Sequence, residues 1–135
     1  MIQKERTGCG IAASAAVAGV SYDRAKALAA SLGIDATDKT LWSDTVYVRR
    51  LLGRFGRRVS STTRPFQSWE TLPDCALLAI KWRRERRRAS WHWVVWVREK
   101  GVGCVLDSKQ TLKTHVRRDF GRMRPKWYLT VFAQE

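Results

Sequence analysis

The chain has 135 residues, 44% of them hydrophobic and seven of them Trp, which suits one compact domain with a core and excludes a second. Its 26 Lys and Arg against 12 Asp and Glu give a net charge of +14, and no apolar stretch approaches the roughly 18 residues of a membrane span. Three cysteines, Cys9, Cys75 and Cys104, cannot all pair within one chain and form no CxxC or Cys/His metal pattern; reduced thiols, no cofactor and a cytoplasmic setting are expected.

The first predicted element runs from Cys9 to about Ala18, within Thr7-Gly8-Cys9-Gly10-Ile11-Ala12-Ala13. Lys4, Glu5 and Arg6 ahead of the apolar stretch Ile11 to Val20 imitate an export signal. That stretch is mostly Ala and Gly, includes Ser14 and lacks Leu and Phe, so it is read as a buried helix retained in the mature protein. Ser21 can cap a second helix from Tyr22 to Leu32, stopped by Gly33, with Ala25, Leu28, Ala29 and Leu32 at helical spacing. A third helix is expected from about Ser43, its candidate cap, to Phe55, with Val48, Leu51, Leu52 and Phe55 on one face and Gly56 as its stop.

Beyond Gly56 the period changes to that of strands. Candidates are Arg57 to Thr62, Cys75 to Trp82, Ser90 to Glu99, Val102 to Asp107 and Trp127 to Ala133. Arg83 to Arg88 is expected to be a hairpin loop, since no buried strand tolerates those charges. Helices first and an antiparallel sheet after predict an α+β domain in which the opening helix packs on the sheet.

This order brings together the parts of a cysteine nucleophile enzyme. Cys9 falls at a helix start, where free N–H groups and the positive dipole end stabilise thiolate. Gly8 and Gly10 would let the backbone approach a substrate carbonyl, with the Cys9 N–H donating to the oxyanion. Cys75 and Cys104, inside apolar strands, are read as small buried hydrophobes. His92 shares a strand face with residues 94 and 96, opposite 91, 93, 95 and 97. A hairpin around Glu99-Lys100-Gly101 sets His92 opposite Asp107 if the loop is Glu99 and Lys100, or two positions displaced on the same face if it has four residues. Either register lets the carboxylate fix the imidazole tautomer and leaves the other ring nitrogen for the Cys9 proton. His115, among Lys113, Arg117 and Arg118, reads as surface. Gln3 has the weakest case by itself, because glutamines near a terminus are usually solvated.

Gln3, five intervening residues, Cys9-Gly10-Ile11-Ala12, then His92-Trp93-Val94-Val95 and Val105-Leu106-Asp107 together resemble the bacteriocin-processing, double-glycine leader peptidases, a papain-like family. The resemblance spans nearly the whole chain. It implies a papain-like α+β fold, with Cys9 as nucleophile, His92 as general base and acid, Asp107 as orienting carboxylate and Gln3 as oxyanion donor, and it implies proteolysis after a pair of glycines. Ser108 stands where the family has proline after the carboxylate, and Gly8 where Asp often precedes the nucleophile.

The charge admits two readings of equal weight, a solvated basic surface or a surface for an acidic partner such as an acidic leader peptide. A different class of function uses the same residues: a catalytically silent papain-like domain, or a nucleic-acid binder with arginines interleaved among Trp42, Trp69, Trp82 and Trp91 as stacking platforms.

Overall fold

Small residues decide the position of the first helix. In the computed structural model, which describes residues 1–134, α1 (Cys9–Ala18) is buried from Cys9 through Ala15. A helix that is apolar all round belongs inside a protein, and its Ala and Gly surface lets neighbours approach on every side. The export-like stretch is therefore a packed core helix. Around it lie α2 (Tyr22–Ser31) and α3 (Val46–Arg54), and it packs on the longest sheet strand.

Ser21 caps α2 as expected, its Oγ accepting the Arg24 N–H at 3.1 Å. Gly33 and Gly56 follow α2 and α3 with φ of 79° and 78°, the left-handed turn that glycine adopts without a Cβ penalty. The third helix starts later than expected. Ser43 closes a separate 3-10 turn, Lys39–Ser43, capped by Asp38, and Asp44 Oδ1 takes the Val46 N–H at 2.7 Å. Two short side chains that cap locally outcompete the continuous helix.

The sheet comprises β1 (Arg64–Pro65), β2 (Cys75–Glu85), β3 (Arg88–Glu99), β4 (Val102–Leu106), β5 (Val116–Arg117) and β6 (Trp127–Thr130). Their order is β1-β6-β2-β3-β4-β5, every pairing antiparallel. The expected strand from Arg57 to Thr62 reduces to a single bridge between Val59 and Val131. Arg83 to Arg88 is not all loop: both strands run on as an exposed ribbon, and only Arg86 and Arg87 turn. Burial forbids charge in a strand, but a ribbon projecting into water has no such restriction. β5 and the short helix α4 (Phe120–Met123) lie where no element is expected from the sequence.

Alternation on β3 sorts the side chains as its sequence predicts. Trp91, Trp93 and Val95 join α1–α3 in one core. Val94 and Trp96 join a second core on the opposite face, which Leu72, Met123, Phe66, Trp69 and Phe120 complete. Both faces are covered, which is why β2 and β3 read as near-continuous apolar runs.

Candidate active site

Strand lengths assemble the site. β4 ends at Leu106, opposite Val95, so β3 continues beyond its partner. The N–H of Trp93 on this unpaired stretch donates to Cys9 Sγ at 3.5 Å, which brings the start of α1 against the strand that carries His92. The register is the second of the two expected, with Arg98 opposite Gly103, and the ladder closes one pair further than a four-residue loop would. Glu99 pairs with Val102 and the turn is Lys100-Gly101, both with positive φ (51° and 79°), as a two-residue turn between twisted strands requires. Continued past Leu106, this register sets Asp107 beside Val94, two positions from His92 and on its face.

His92 Nε2 and Asp107 Oδ1 are 2.7 Å apart. A carboxylate only accepts, so Nε2 carries the hydrogen and Nδ1 is left free of that bond, on a strand whose next residue, Trp93, donates its N–H to Cys9 Sγ. Asp107 is buried and its oxygens are fully used. Oδ1 also accepts the Lys109 N–H at 3.0 Å, and Oδ2 accepts from Arg117 Nη1 at 2.9 Å. Burial opposes charge on His92, but the hydrogen bonds and charges of Asp107 and Cys9 outweigh it and raise the imidazole from 6.5 to about 9. Burial likewise opposes charge on Asp107, and His92, the Lys109 N–H and Arg117 overcome it, lowering the carboxyl from 3.8 to about 2.

Arg117 is a residue that sequence reasoning missed. β5 pairs it with Val105, and Asp119 holds its other face with bonds of 2.9 and 2.6 Å. An Arg-x-Asp triplet inside a basic run was the available signal. His115 is half-buried rather than surface, and its carbonyl accepts the Asp107 N–H at 2.8 Å.

Gln3 is buried, at 4% exposure, because the N-terminal segment lies along the segment after Asp107. The Gln3 N–H donates to the Ser108 carbonyl at 3.1 Å, and Ser108 Oγ donates to Gln3 Oε1 at 2.8 Å. Ser108 thus couples the amide to the carboxylate segment. Gln3 Nε2 donates to the Glu5 and Arg6 carbonyls at 3.0 and 3.1 Å, so serving an oxyanion means releasing one of them.

The glycines beside Cys9 have a different reason from the one expected. A Cβ on Gly8 would overlap the Tyr22 hydroxyl, and one on Gly10 would overlap the Tyr47 hydroxyl and ring. Both are close-packing positions in the core. The Tyr47 hydroxyl closes no hydrogen bond, and burial followed by the Cys9 charge drives its pKa well above 10. Gly10→Ala is expected to cost about 3 kcal/mol, the upper range for overpacking. A second substitution, Tyr47→Phe, should recover part of the loss by removing the overlapping oxygen. Denaturant titration of the three chains checks this.

Gln3 and His92 line one cleft of about 390 Å³, walled by Trp42 and Trp91. Cys9, at 1% exposure, is not among the residues that line it. Of the tryptophans offered as stacking platforms, Trp69 packs with Phe66, Trp96 and Phe120, Trp91 packs with Trp93 and Trp127, and Trp82 lies under Lys126. Cys75 and Cys104 are free and half-buried, away from these groups, and burial raises the Cys75 thiol. Among the described residues, no group of three or more His, Cys, Asp or Glu could hold a metal, and no helix is long and apolar enough to cross a membrane. Comparison with protein-family models, curated proteins and solved structures finds no match to this chain.

Proposed function

We propose that the protein is a papain-like cysteine peptidase that cleaves a peptide bond through Cys9, His92 and Asp107. The observation that carries the reading is the 2.7 Å bond between His92 and a buried, Arg-braced carboxylate, on a strand whose next residue, Trp93, bonds the Cys9 sulfur through its N–H. A nucleophile, the base that takes its proton and a third group that orients the base are the elements of covalent amide hydrolysis. A helix-borne cysteine against an antiparallel sheet supports the papain-like form of that arrangement.

The Cys9 proton passes to His92 Nδ1, and the sulfur attacks the amide carbon. The carbonyl oxygen takes the electron pair at the start of α1, which has no side-chain cap and whose first N–H groups have no acceptor within the helix. The C–N bond breaks as His92 returns its proton to the leaving amine. Water, deprotonated by His92, then attacks the thioester and releases the acid and the thiol. Gln3 is the second oxyanion donor once its amide leaves the Glu5 or Arg6 carbonyl. A bond following a Gly-Gly pair is the proposed site, since residues without side chains suit the approach to a thiol that is only 1% exposed.

The test is alkylation of the intact chain by iodoacetamide near neutral pH, located by mass spectrometry. One equivalent on Cys9, ahead of Cys75 and Cys104, is expected. Labelling of Cys75 or Cys104 with Cys9 untouched would sink the proposal.

A further inference from the structure

The cleft beside His92 has an electrostatic character that peptide hydrolysis does not require. Four of its lining residues are cations, Arg6, Lys81, Arg83 and Lys109, and no lining residue is acidic. They come from three separate parts of the chain: the segment before α1, the end of β2 and the loop after β4.

Lys81 is held there by the backbone. Ile80 pairs with His92 and Arg83 with Ser90, so β2 carries one residue more than β3, and Lys81 takes φ 52° at this bulge. A left-handed conformation is costly for a residue with a Cβ, and a bulge re-aims the side chain it carries. The Lys81 side chain lines the same cleft as Lys109, which lowers the Lys81 pKa, with burial adding to the effect. Asp107, the carboxylate whose charge acts on Lys81, is already committed to His92 and Arg117. Two lysines thus line the cleft beside His92, and no acidic residue lines it with them.

The geometry points to a carboxylate subsite: Lys81 and Lys109, flanked by Arg6 and Arg83, bind an Asp or Glu side chain of the polypeptide substrate close to the scissile bond. This deepens the peptidase reading and rests on it. A peptide is favoured over nucleic acid because the cleft is small and, of the tryptophans that would stack bases, Trp69 is packed in a core and Trp91, which edges the cleft, is engaged with Trp93 and Trp127. An acidic group seated between the lysines relieves their repulsion, an attraction largest inside a cleft.

Two measurements test the subsite. The first compares alkylation of Cys9 by iodoacetate, which carries a carboxylate, with iodoacetamide, its neutral counterpart. The iodoacetate to iodoacetamide rate ratio is expected to fall roughly fivefold in Lys81→Met/Lys109→Met, whereas Lys81→Arg/Lys109→Arg retains it. An unchanged ratio in the Met variant overturns the subsite. The second follows Trp fluorescence as the Cys9→Ala chain is titrated with a blocked glutamyl peptide and its glutaminyl counterpart. Glutamyl binding about tenfold tighter, with the advantage lost at high salt, is expected. Equal affinities, absence of binding, or displacement of the glutamyl peptide by a lower concentration of single-stranded oligonucleotide overturns it. Failure of both reagents to label Cys9 counts against the peptidase reading, and the titration still decides the subsite.

Discussion

Replacing Cys9 with alanine is expected to abolish peptide hydrolysis, leaving no turnover above the uncatalysed background, while the chain melts within a few degrees of the parent. The sulfur is the only group in the proposed mechanism that bonds covalently to substrate, and no neighbour can take over that step. The fold does not depend on it. Cys9 is one small buried side chain in a core that includes Leu51, Leu52, Leu77 and Trp93, and alanine occupies the same space less one atom. The hydrogen bond that Sγ takes from the Trp93 N–H, at 3.5 Å, is long and weak. Peptide cleavage read by mass spectrometry, with a thermal melt on the same samples, separates loss of chemistry from loss of fold. Cleavage by the alanine chain at the parental rate would mean that another group performs the reaction.

Removal of Asp107 should damage activity and stability together. Asp107→Ala takes away the group that orients His92 and favours its charged form, and a drop of roughly 10²–10⁴-fold in kcat/KM is expected, the range associated with a positioned acid or base. It also leaves Arg117, whose side chain is only 14% exposed, with Asp119 as its one remaining carboxylate. Breaking a buried pair costs about 3–5 kcal/mol, and the surviving Asp119 contact places this case at the lower end. Asp107→Asn separates the two roles, because an amide oxygen can still accept from Nε2 but cannot offset the imidazolium charge.

The pH dependence follows from the same pair. His92 rises from 6.5 to about 9 on folding, so its stabilisation is complete below pH 6.5 and is lost as pH climbs through 9. Asp107 falls from 3.8 to about 2, so its share is present above pH 3.8 and is lost as pH drops through 2. These are two ends of one interaction and count once, on the order of 3 kcal/mol. The parent should lose melting temperature between pH 6.5 and 9.5 more steeply than Asp107→Ala does. Parallel curves would show that the carboxylate does not hold the imidazole charged.

The places where expectation and structure differ have physical causes. The third helix was drawn too long because periodicity sees Val48, Leu51 and Leu52 but not that Asp38 and Asp44 cap two separate turns. Arg83 to Arg88 was read as loop because charge excludes burial, yet a strand pair can leave the body and remain paired. Gly8 and Gly10 were read as chemistry, whereas Tyr22 and Tyr47, distant in the chain, are what forbid a side chain there. Arg117 was lost among other basic residues, since its pairing with Asp107 depends on β5 folding back along β4.

The amino-acid order alone determined the helices-then-sheet architecture, the start of α1 at Cys9, and the shared face of His92 and Asp107. Each rests on local periodicity: 3.6 residues per helical turn, two along a strand, and a parity that survives a shift of the hairpin by one residue in each arm. Only the tertiary structure decided that Asp107 is braced by Arg117, that Ser108 ties Gln3 beside it, and that Lys81 and Lys109 line one cleft. Those contacts join residues from 10 to 105 positions apart. Strand order, a bulge and the early end of β4 set them, and none of these is written in the periodicity of any one segment.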